Sequence, residues 1–165
     1  MVSGRFFVEI QPAHDRPPIA EARRIIAFGR GIRSKEDIIA AEELAEKLGA
    51  VVAGSRPLVE KGWMPPSTQI GLSGHAVQPD WLLTLEISGS IQFQAGIRRV
   101  KRLIAVDSNP NAPILDQAHL PICADLYADL YQVLRSLTEV LVTETWTGPE
   151  TPAAALQRAC IHPFL

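Results

Sequence analysis

The chain has 165 residues, of which 47% are hydrophobic and 21% charged, and its formal net charge is −2. This length fits one domain with a substantial core, and the charge balance excludes the strongly basic surface of nucleic-acid or membrane-surface proteins. No apolar run is long enough to cross a bilayer, and the first residues lack the basic and apolar segments of a secretory leader. We therefore expect a cytoplasmic protein that is not inserted in a membrane.

The cysteines and histidines do not group into a metal or disulfide motif. Cys123 and Cys160 stand far apart, which does not indicate a disulfide framework. The four histidines have no spacing that would place two of them on one helical face. The sequence thus predicts no metal site, and no Ser-His-Asp or Cys-His grouping indicates hydrolytic catalysis.

The N-terminal region differs from the rest of the chain. Residues 5–10 have the composition of an edge strand. Pro12, Pro17 and Pro18 then interrupt the pattern and indicate a linker. We assign residues 1–22 to this N-terminal strand and linker, residues 23–142 to the main domain, and residues 143–165, which contain three prolines, to a C-terminal tail.

Short aliphatic runs predict buried strands in the main domain, at residues 24–28, 50–53, 68–70, 81–87, 103–106 and 121–124. A helix is predicted over residues 35–48, between the capping pair Ser34 and Asp37 and the stop signal Gly49. Its buried face is predicted to carry Ile38, Ile39, Leu44, Ala45 and Leu48.

Further helices are predicted from residue 56 to near Gly62, from Ile91 onward, and over residues 125–141. Strands that alternate with helices favour an α/β fold, here a doubly wound parallel sheet in three α/β/α layers. In such a sheet the carboxyl ends of the strands gather at one edge, where ligands bind.

One segment at this edge has the composition of a phosphate site. The strand that ends at Ile87 is followed by Ser88, Gly89 and Ser90, and a helix opens at Ile91. Backbone N–H groups, serine hydroxyls and the unpaired amides of a helix N-terminus attract anions. The segment predicts a phosphate-binding turn, although glycine and serine also occur in ordinary turns between strands and helices.

The order of the motifs points to a family. Six segments follow one another: IIAFGRG at 25–31, GSR at 54–56, IGLSG at 70–74, ISGSIQ at 87–92, NPNAPI at 109–114 and ADL at 124–126. Over about residues 16–140 the series resembles the C-terminal, FAD-binding domain of the electron-transfer flavoprotein α-subunit. The resemblance implies a Rossmann-like, DHS-like NAD/FAD-binding domain with FAD as cofactor. It also implies an electron carrier between a dehydrogenase and an acceptor, a non-catalytic protein rather than an enzyme with its own substrate.

The resemblance assigns cofactor-binding residues at the strand ends: Arg30, Ser55, Arg56, Gly71, Leu72, Ser73, Ser88, Gly89, Ser90, Ile91, Gln92, Phe93, Asp107, Asp125 and Leu126. By this assignment Arg30 meets the FAD phosphate or adenosine, and Arg56 lies against the isoalloxazine, where a positive charge favours reduced flavin. Ser73 hydrogen-bonds flavin N5, and residues 88–92 hold the pyrophosphate and ribityl chain. Asp125 accepts from the ribose hydroxyls, caps the last helix, or does both.

Four residues depart from the family pattern at or near these positions. Leu72 stands where the family usually has Gln, and Phe93 stands where it usually has a His that donates to the flavin C2 carbonyl. Asp107 stands in place of Asn. Glu86 stands in place of Gly, and a carboxylate beside a pyrophosphate is unfavourable unless it points away or pairs with an arginine.

The family α-subunit has a further N-terminal domain and forms a heterodimer with a β-subunit, so the resemblance implies a β-subunit-like partner or a dehydrogenase. We expect this chain to begin near the domain junction and its exposed interface to favour a homodimer. Two other functions stay open: a module that binds AMP or another adenine nucleotide, and a structural remnant without redox activity. Leu72 and Phe93 favour the nucleotide module, whereas Arg56 and Ser73 oppose it.

Overall fold

A parallel sheet with helices on both faces makes up residues 17–127, the part of the chain that the computed structural model describes. The strands are β1 (Arg24–Phe28), β2 (Val51–Gly54), β3 (Trp81–Leu85), β4 (Leu103–Asp107) and β5 (Leu120–Cys123). The helices are α1 (Lys35–Lys47), α2 (Arg56–Glu60), α3 (Ile91–Gly96) and α4 (Pro113–Gln117), and a 3₁₀ turn occupies Pro66–Thr68. The predicted α/β class is confirmed.

The strand order is β2-β1-β3-β4-β5, and the neighbouring strands are parallel. β1 lies between β2 and β3, with Ile26 opposite both Val52 and Leu83. The chain therefore builds outward from one side of β1 and then from the other. This reversal between β1 and β3 is the switch point of a doubly wound sheet, where ligands bind at the carboxyl ends of the strands.

Two hydrophobic clusters cover the two faces of the sheet. Ile26 and Leu83 belong to the cluster under α1 and α2, whereas Ile25 and Leu82 belong to the cluster under α3 and α4. Successive side chains of a strand point to opposite faces, which explains the alternation. Because both faces are covered, every residue of β3 and β4 is buried, and these strands appear in the sequence as continuous apolar runs.

Helix α1 begins where its sequence predicts. Ser34 Oγ accepts from the backbone N–H of Asp37 at 3.3 Å, and Asp37 Oδ2 accepts from the backbone N–H of Ser34 at 3.2 Å. The predicted capping pair is thus confirmed as a capping box. The predicted buried face is wrong at Ile39, which is 52% exposed, because the adjacent Ile38 takes the inward position.

The predicted strand at residues 68–70 is wrong. Pro66–Thr68 is a 3₁₀ turn, and the two residues that follow it make only isolated bridges. The paired Pro65 and Pro66 remove two backbone donors and fix φ, which favours a tight turn over a strand ladder.

Helix α4 was not predicted, because the Pro- and Asn-rich segment after β4 resembles a loop. Pro113 occupies its first turn, where the missing N–H is no loss and the fixed φ suits a helix start. Ile114 is fully buried. A helix of five residues is too short to show an apolar period, so only proline followed by a large apolar residue marks it.

Several predicted segments lie outside the described residues: the strand at 5–10, the tail at 143–165 and most of the helix at 125–141. Residues 125–127 are described, and they form a turn in which Asp125 Oδ1 accepts from the backbone N–H of Tyr127 at 2.9 Å. The domain boundaries stay predictions. Among residues 17–127, no helix has the length and apolarity that a membrane span needs.

Tyr127 ties the segment after β5 to the start of α1. Its hydroxyl donates to Asp37 Oδ2 at 2.6 Å and accepts from the backbone N–H of Arg33 at 2.6 Å. The Arg33 guanidinium lies 4.2 Å from the centre of the tyrosine ring. Burial, followed by the hydrogen bond to Asp37, raises the pKa of Tyr127 to about 12, so the hydroxyl keeps its proton at neutral pH.

Candidate functional site at the carboxyl edge of the sheet

The parallel strands bring the predicted site residues to one edge of the sheet or to the loops beside it. The exposed members of the set are Arg30, Arg56, Leu72, Ser73, Ser88, Ser90, Ile91, Gln92 and Asp125. The buried members are Ser55, Gly71, Gly89, Phe93, Asp107 and Leu126. The exposed group can meet a ligand through side chains, whereas most of the buried group shapes the edge from below.

The turns that follow β1 and β3 approach each other closely. The backbone N–H of Gly29 donates to Leu85 O at 2.9 Å, and that of Gly31 donates to Glu86 O at 3.4 Å. A Cβ atom on Gly29 would lie 2.6 Å from the carbonyl carbon of Glu86, so the approach requires glycine. Arg30 lies between the two glycines with its side chain exposed, where a guanidinium can meet an anion.

The turn after β3 is held in shape by hydrogen bonds within the protein. Ser90 caps α3, and its Oγ accepts from the backbone N–H of Phe93 at 3.3 Å. The carbonyl of Gly89 accepts from Gln94 Nε2 at 2.6 Å, and an α4 backbone N–H donates to Ser88 O at 2.9 Å. Gly89 has φ +88°, a conformation that favours glycine. The serine hydroxyls therefore lie on a preformed, exposed turn.

An apolar surface adjoins this turn. The backbone N–H of Leu72 donates to Gln92 O at 2.8 Å, which fastens the loop before β3 to α3. Ser73, in the same loop, accepts from Gln69 Nε2 at 3.0 Å. The side chains of Leu72 and Ile91 are 74% and 81% exposed. Large apolar side chains that stay exposed beside such a turn are candidates for contact with a ligand or a partner.

Two residues assigned to the flavin ring are engaged elsewhere. Phe93 is 4% exposed and packs in the hydrophobic cluster under α3, so its ring does not lie on the exposed surface. Arg56 Nε donates to Glu60 Oε1 at 2.7 Å in an exposed pair within α2. Such a pair contributes about 0.3–0.5 kcal/mol, so it opens at little cost. Ser55 is 8% exposed, and its backbone N–H donates to Phe28 O at 2.9 Å.

Carboxylates stand at or just after the ends of β3, β4 and β5, namely Glu86, Asp107 and Asp125. Asp107 is 5% exposed, and its Oδ1 accepts from the backbone N–H of Asn109 at 2.8 Å. Glu86 Oε2 accepts from the hydroxyl of Ser108 at 3.1 Å. Three acids at one edge make it locally negative, which favours ribose hydroxyls as partners and disfavours anions.

Glu86 is the least satisfied group of this edge. Its Oε1 is inaccessible to solvent and has no hydrogen-bond partner among the described residues. Burial raises the pKa of Glu86, and the negative charges of Asp107 and Asp125 raise it further. Within residues 17–127 it pairs with neither Arg30 nor Arg56. The carboxylate therefore lacks the arginine partner that would make it harmless to a neighbouring phosphate.

Sequence reasoning missed two residues that shape the edge. Ser108 follows β4 directly, and that position at a strand end is a signal that could have indicated it. Gln94 lies within α3, where nothing in the local sequence shows that its amide reaches back to Gly89.

Turns of this kind at the switch point of a doubly wound sheet define a nucleotide-binding α/β domain. Residues 18–98 match the model of the family described as electron transfer flavoprotein FAD-binding domain. The chain belongs to this family, which confirms the resemblance drawn from the sequence motifs. FAD is the cofactor of the family and of this domain.

Curated relatives agree with this assignment. Subunit LctC of the lactate dehydrogenase (NAD(+),ferredoxin) of Acetobacterium woodii is 44% identical over 116 residues, which is 70% of this chain and 28% of the relative. The electron transfer flavoprotein subunit alpha of Paracoccus denitrificans is 40% identical over 114 residues, 69% of this chain and 37% of the relative. Protein FixB of Clostridium saccharobutylicum is 38% identical over 135 residues, which is 82% of this chain and 40% of the relative. The matched region thus spans well under half the length of these relatives.

The carboxyl edge fits FAD in most respects. The turn after β3 presents serine hydroxyls, and Arg30 is an exposed cation. The exposed side chain of Leu72, in the loop assigned to the ring, offers apolar contact to a flat ring. The carboxylate of Glu86, beside the glycines of the β1 turn, is the feature that opposes the FAD pyrophosphate.

Proposed function

We propose that this domain binds FAD across its carboxyl edge and works as an electron-transfer flavoprotein-like carrier, taking electrons from a dehydrogenase and passing them to an acceptor. The main support from the structure is the hydrogen bond between Leu72 and Gln92. It joins the loop assigned to the flavin ring to the helix assigned to the phosphates. Two motifs that lie 20 residues apart in the sequence are thereby joined at one edge of the sheet.

Each part of the edge then has a role in binding. Residues 88–90 and Arg30 hold the pyrophosphate, whereas Asp107 and Asp125 face the ribose of the adenosine. Arg56 and Ser73 serve the ring, together with the exposed side chain of Leu72. When bound, FAD supplies the redox chemistry; the chain orients it and sets the local charge, and none of its residues acts as a nucleophile or general acid.

Absorption spectroscopy tests this proposal. Purified protein is incubated with FAD, passed over a desalting column and examined for the visible bands of oxidised flavin. We expect retained flavin, and about tenfold weaker binding after Arg56→Ala, because the guanidinium contact to the ring is lost. Arg98→Ala, an exposed arginine that follows α3 away from the carboxyl edge, is the control and should bind as the wild type does. A protein that retains no flavin contradicts the proposal.

The partners are part of the same proposal. We propose that a β-subunit-like protein, a dehydrogenase or a second copy of the chain covers the carboxyl edge, where Leu72 and Ile91 are exposed. The name of the Acetobacterium woodii relative ties that protein to a lactate dehydrogenase. Sedimentation at high protein concentration distinguishes self-association, expected as a homodimer, from a monomer that needs another partner. A cytoplasmic location agrees with the free thiol of Cys123.

A second candidate is an adenine-nucleotide module without redox activity. The burial of Phe93 favours it, because the ring side of the site loses that side chain. Thermal shifts with AMP and FAD separate the two, since only a working ring surface gives FAD a clear advantage. A melting temperature unchanged by either nucleotide would instead indicate a structural remnant.

A further inference from the structure

Glu86 occupies a backbone conformation and a space that suit glycine. Among residues 17–127 it is the non-glycine residue with positive φ, at +55°, a conformation that disfavours residues with a Cβ atom. Its side chain fills the space beside Gly31: a Cβ atom there would lie 2.7 Å from both Glu86 Cβ and Oε2. The carboxylate therefore lies in the cleft between the β1 turn and the β3 turn. This strain at the ligand-binding edge points to a role in binding.

Groups from the ends of β4 and β5 affect the charge state of Glu86. From β4 come the carboxylate of Asp107 and the hydroxyl of Ser108, and from the segment after β5 come the carboxylate of Asp125 and the backbone amide of Leu126. The two carboxylates disfavour ionisation of Glu86, as its burial does, whereas the hydroxyl and the amide favour it. Gly31, in the turn that follows β1, contributes no charge. The balance raises the pKa of Glu86 above its usual range.

We propose that Glu86 is the specificity-determining and proton-sensing residue of the cleft between the β1 and β3 turns. When ionised it opposes a phosphate group, so FAD binds together with one proton taken up from solvent. The inference rests on the proposed FAD site. The added negative charge of the pyrophosphate beside Glu86 favours its neutral form, and by linkage protonation favours the nucleotide. FAD affinity therefore rises as the pH falls.

A metal ion is the other way to neutralise this cleft, but among residues 17–127 no group of three or more His, Cys, Asp or Glu side chains could hold one. His75 lies in the loop beside the site, where its carbonyl accepts from the backbone N–H of Gly71. Its imidazole can carry a positive charge, which would also favour an anion, so the experiment must separate His75 from Glu86.

The test measures FAD binding by quenching of flavin fluorescence between about pH 5 and 8, where the pyrophosphate stays fully ionised. We expect the wild-type affinity to fall with rising pH, by up to about tenfold per unit. Glu86→Gln and Glu86→Gly should bind FAD at least about tenfold more tightly at the upper end of this range, with no such slope. His75→Gln, the control, should keep the wild-type slope. Calorimetry in two buffers of different ionisation enthalpy should show uptake of up to about one proton per FAD by the wild type.

A wild-type affinity that does not change with pH, or a slope that survives in Glu86→Gln, overturns this inference and leaves the FAD site standing. A slope lost in His75→Gln assigns the effect to the histidine and also overturns it. If none of the proteins binds FAD at any pH, the proposed function fails and this inference with it. Should both Glu86 variants fail to fold, proton uptake by the wild type and by His75→Gln decides the question.

Discussion

The two edges of the sheet differ in how their polar groups are satisfied. At the amino edge, Asp80 pairs with Arg23 at 2.9 Å and with Lys101 at 2.7 Å, linking the starts of β1, β3 and β4. Arg24 Nη1 donates to Leu48 O at 2.8 Å, and His119 Nδ1 accepts from the first backbone N–H of β4 at 2.9 Å. The carboxyl edge instead has a strained Glu86, an unpartnered carboxylate oxygen and two large exposed apolar side chains.

This difference shows how one fold can separate stability from binding. Within residues 17–127, the side chains of Asp80, Arg24 and His119 at the amino edge bond to other groups of the protein. At the carboxyl edge one carboxylate oxygen of Glu86 has no partner among the described residues, and the apolar side chains of Leu72 and Ile91 are exposed. A ligand that covers these groups adds stability through binding. Strain and exposure confined to one edge are the pattern expected of a binding site. Substitutions at the two edges should therefore differ in size and in dependence on pH.

The largest expected effect is at the close approach of β1 and β3. Gly29→Ala should lower the free energy of unfolding by about 3 kcal/mol, because the new Cβ atom would meet the backbone of Glu86 and Ile87. Urea denaturation measures it. Gly62→Ala is the matched control: nothing lies within 4 Å of its Cβ position, although its φ is +74°, so only about 1 kcal/mol should be lost. Equal losses of unfolding free energy in the two variants would show that the close contact between the turns does not limit stability.

An intermediate effect is expected in the turn after β3. Ser90→Ala removes the hydroxyl that accepts from the backbone N–H of Phe93, and the loss of an N-cap costs about 1 kcal/mol. Ser88→Ala removes an exposed hydroxyl two residues earlier and should leave stability unchanged. Both are measured by urea denaturation of protein free of FAD. A larger loss in Ser88→Ala than in Ser90→Ala would contradict the capping role.

The smallest effect is expected at the amino edge. The hydrogen bond from Lys101, with help from Arg23, lowers the pKa of Asp80. The lowered pKa contributes stability that is present above the pKa of the unfolded chain and is lost as the pH falls through the pKa of the folded protein. Asp80→Asn should therefore cost less than about 1 kcal/mol at neutral pH, since these groups are exposed, and almost nothing in strong acid. A loss that grows on acidification would contradict this account.

The framework of the fold could be predicted from sequence because its signals are local. The apolar runs of β1, β3 and β4, the serine and aspartate that cap α1, and the alternation of strands with helices each lie within a few residues. The strand predicted at residues 68–70 failed because two prolines outweighed an apolar residue. The helix α4 was missed because five residues contain no full apolar period.

The candidate site was predicted only as a set of positions, since its chemistry depends on contacts between distant segments. The motif at residues 70–74 and the one at 87–92 gave no sign that Leu72 and Gln92 are hydrogen-bonded. The departure at position 93 suggested an aromatic ring at the cofactor, but the helix turns Phe93 into the core. The protonation state of Glu86 depends on Ser108 and Asp107, which lie more than 20 residues away in the sequence. The sequence therefore showed that an acid stands at position 86 but not which groups surround it.

Asp37 Oδ2 accepts two hydrogen bonds, one from the backbone N–H of Ser34 and one from the hydroxyl of Tyr127. The first forms within a single helical turn, whereas the second joins residues 90 apart, so it must wait until most of the chain has come together. One oxygen thus belongs both to an early, local event of folding and to a late, long-range one. The start of α1 is completed only after β5 has joined the sheet, and fraying beyond β5 in the native protein would loosen the first turn of a helix at the other end of the sequence.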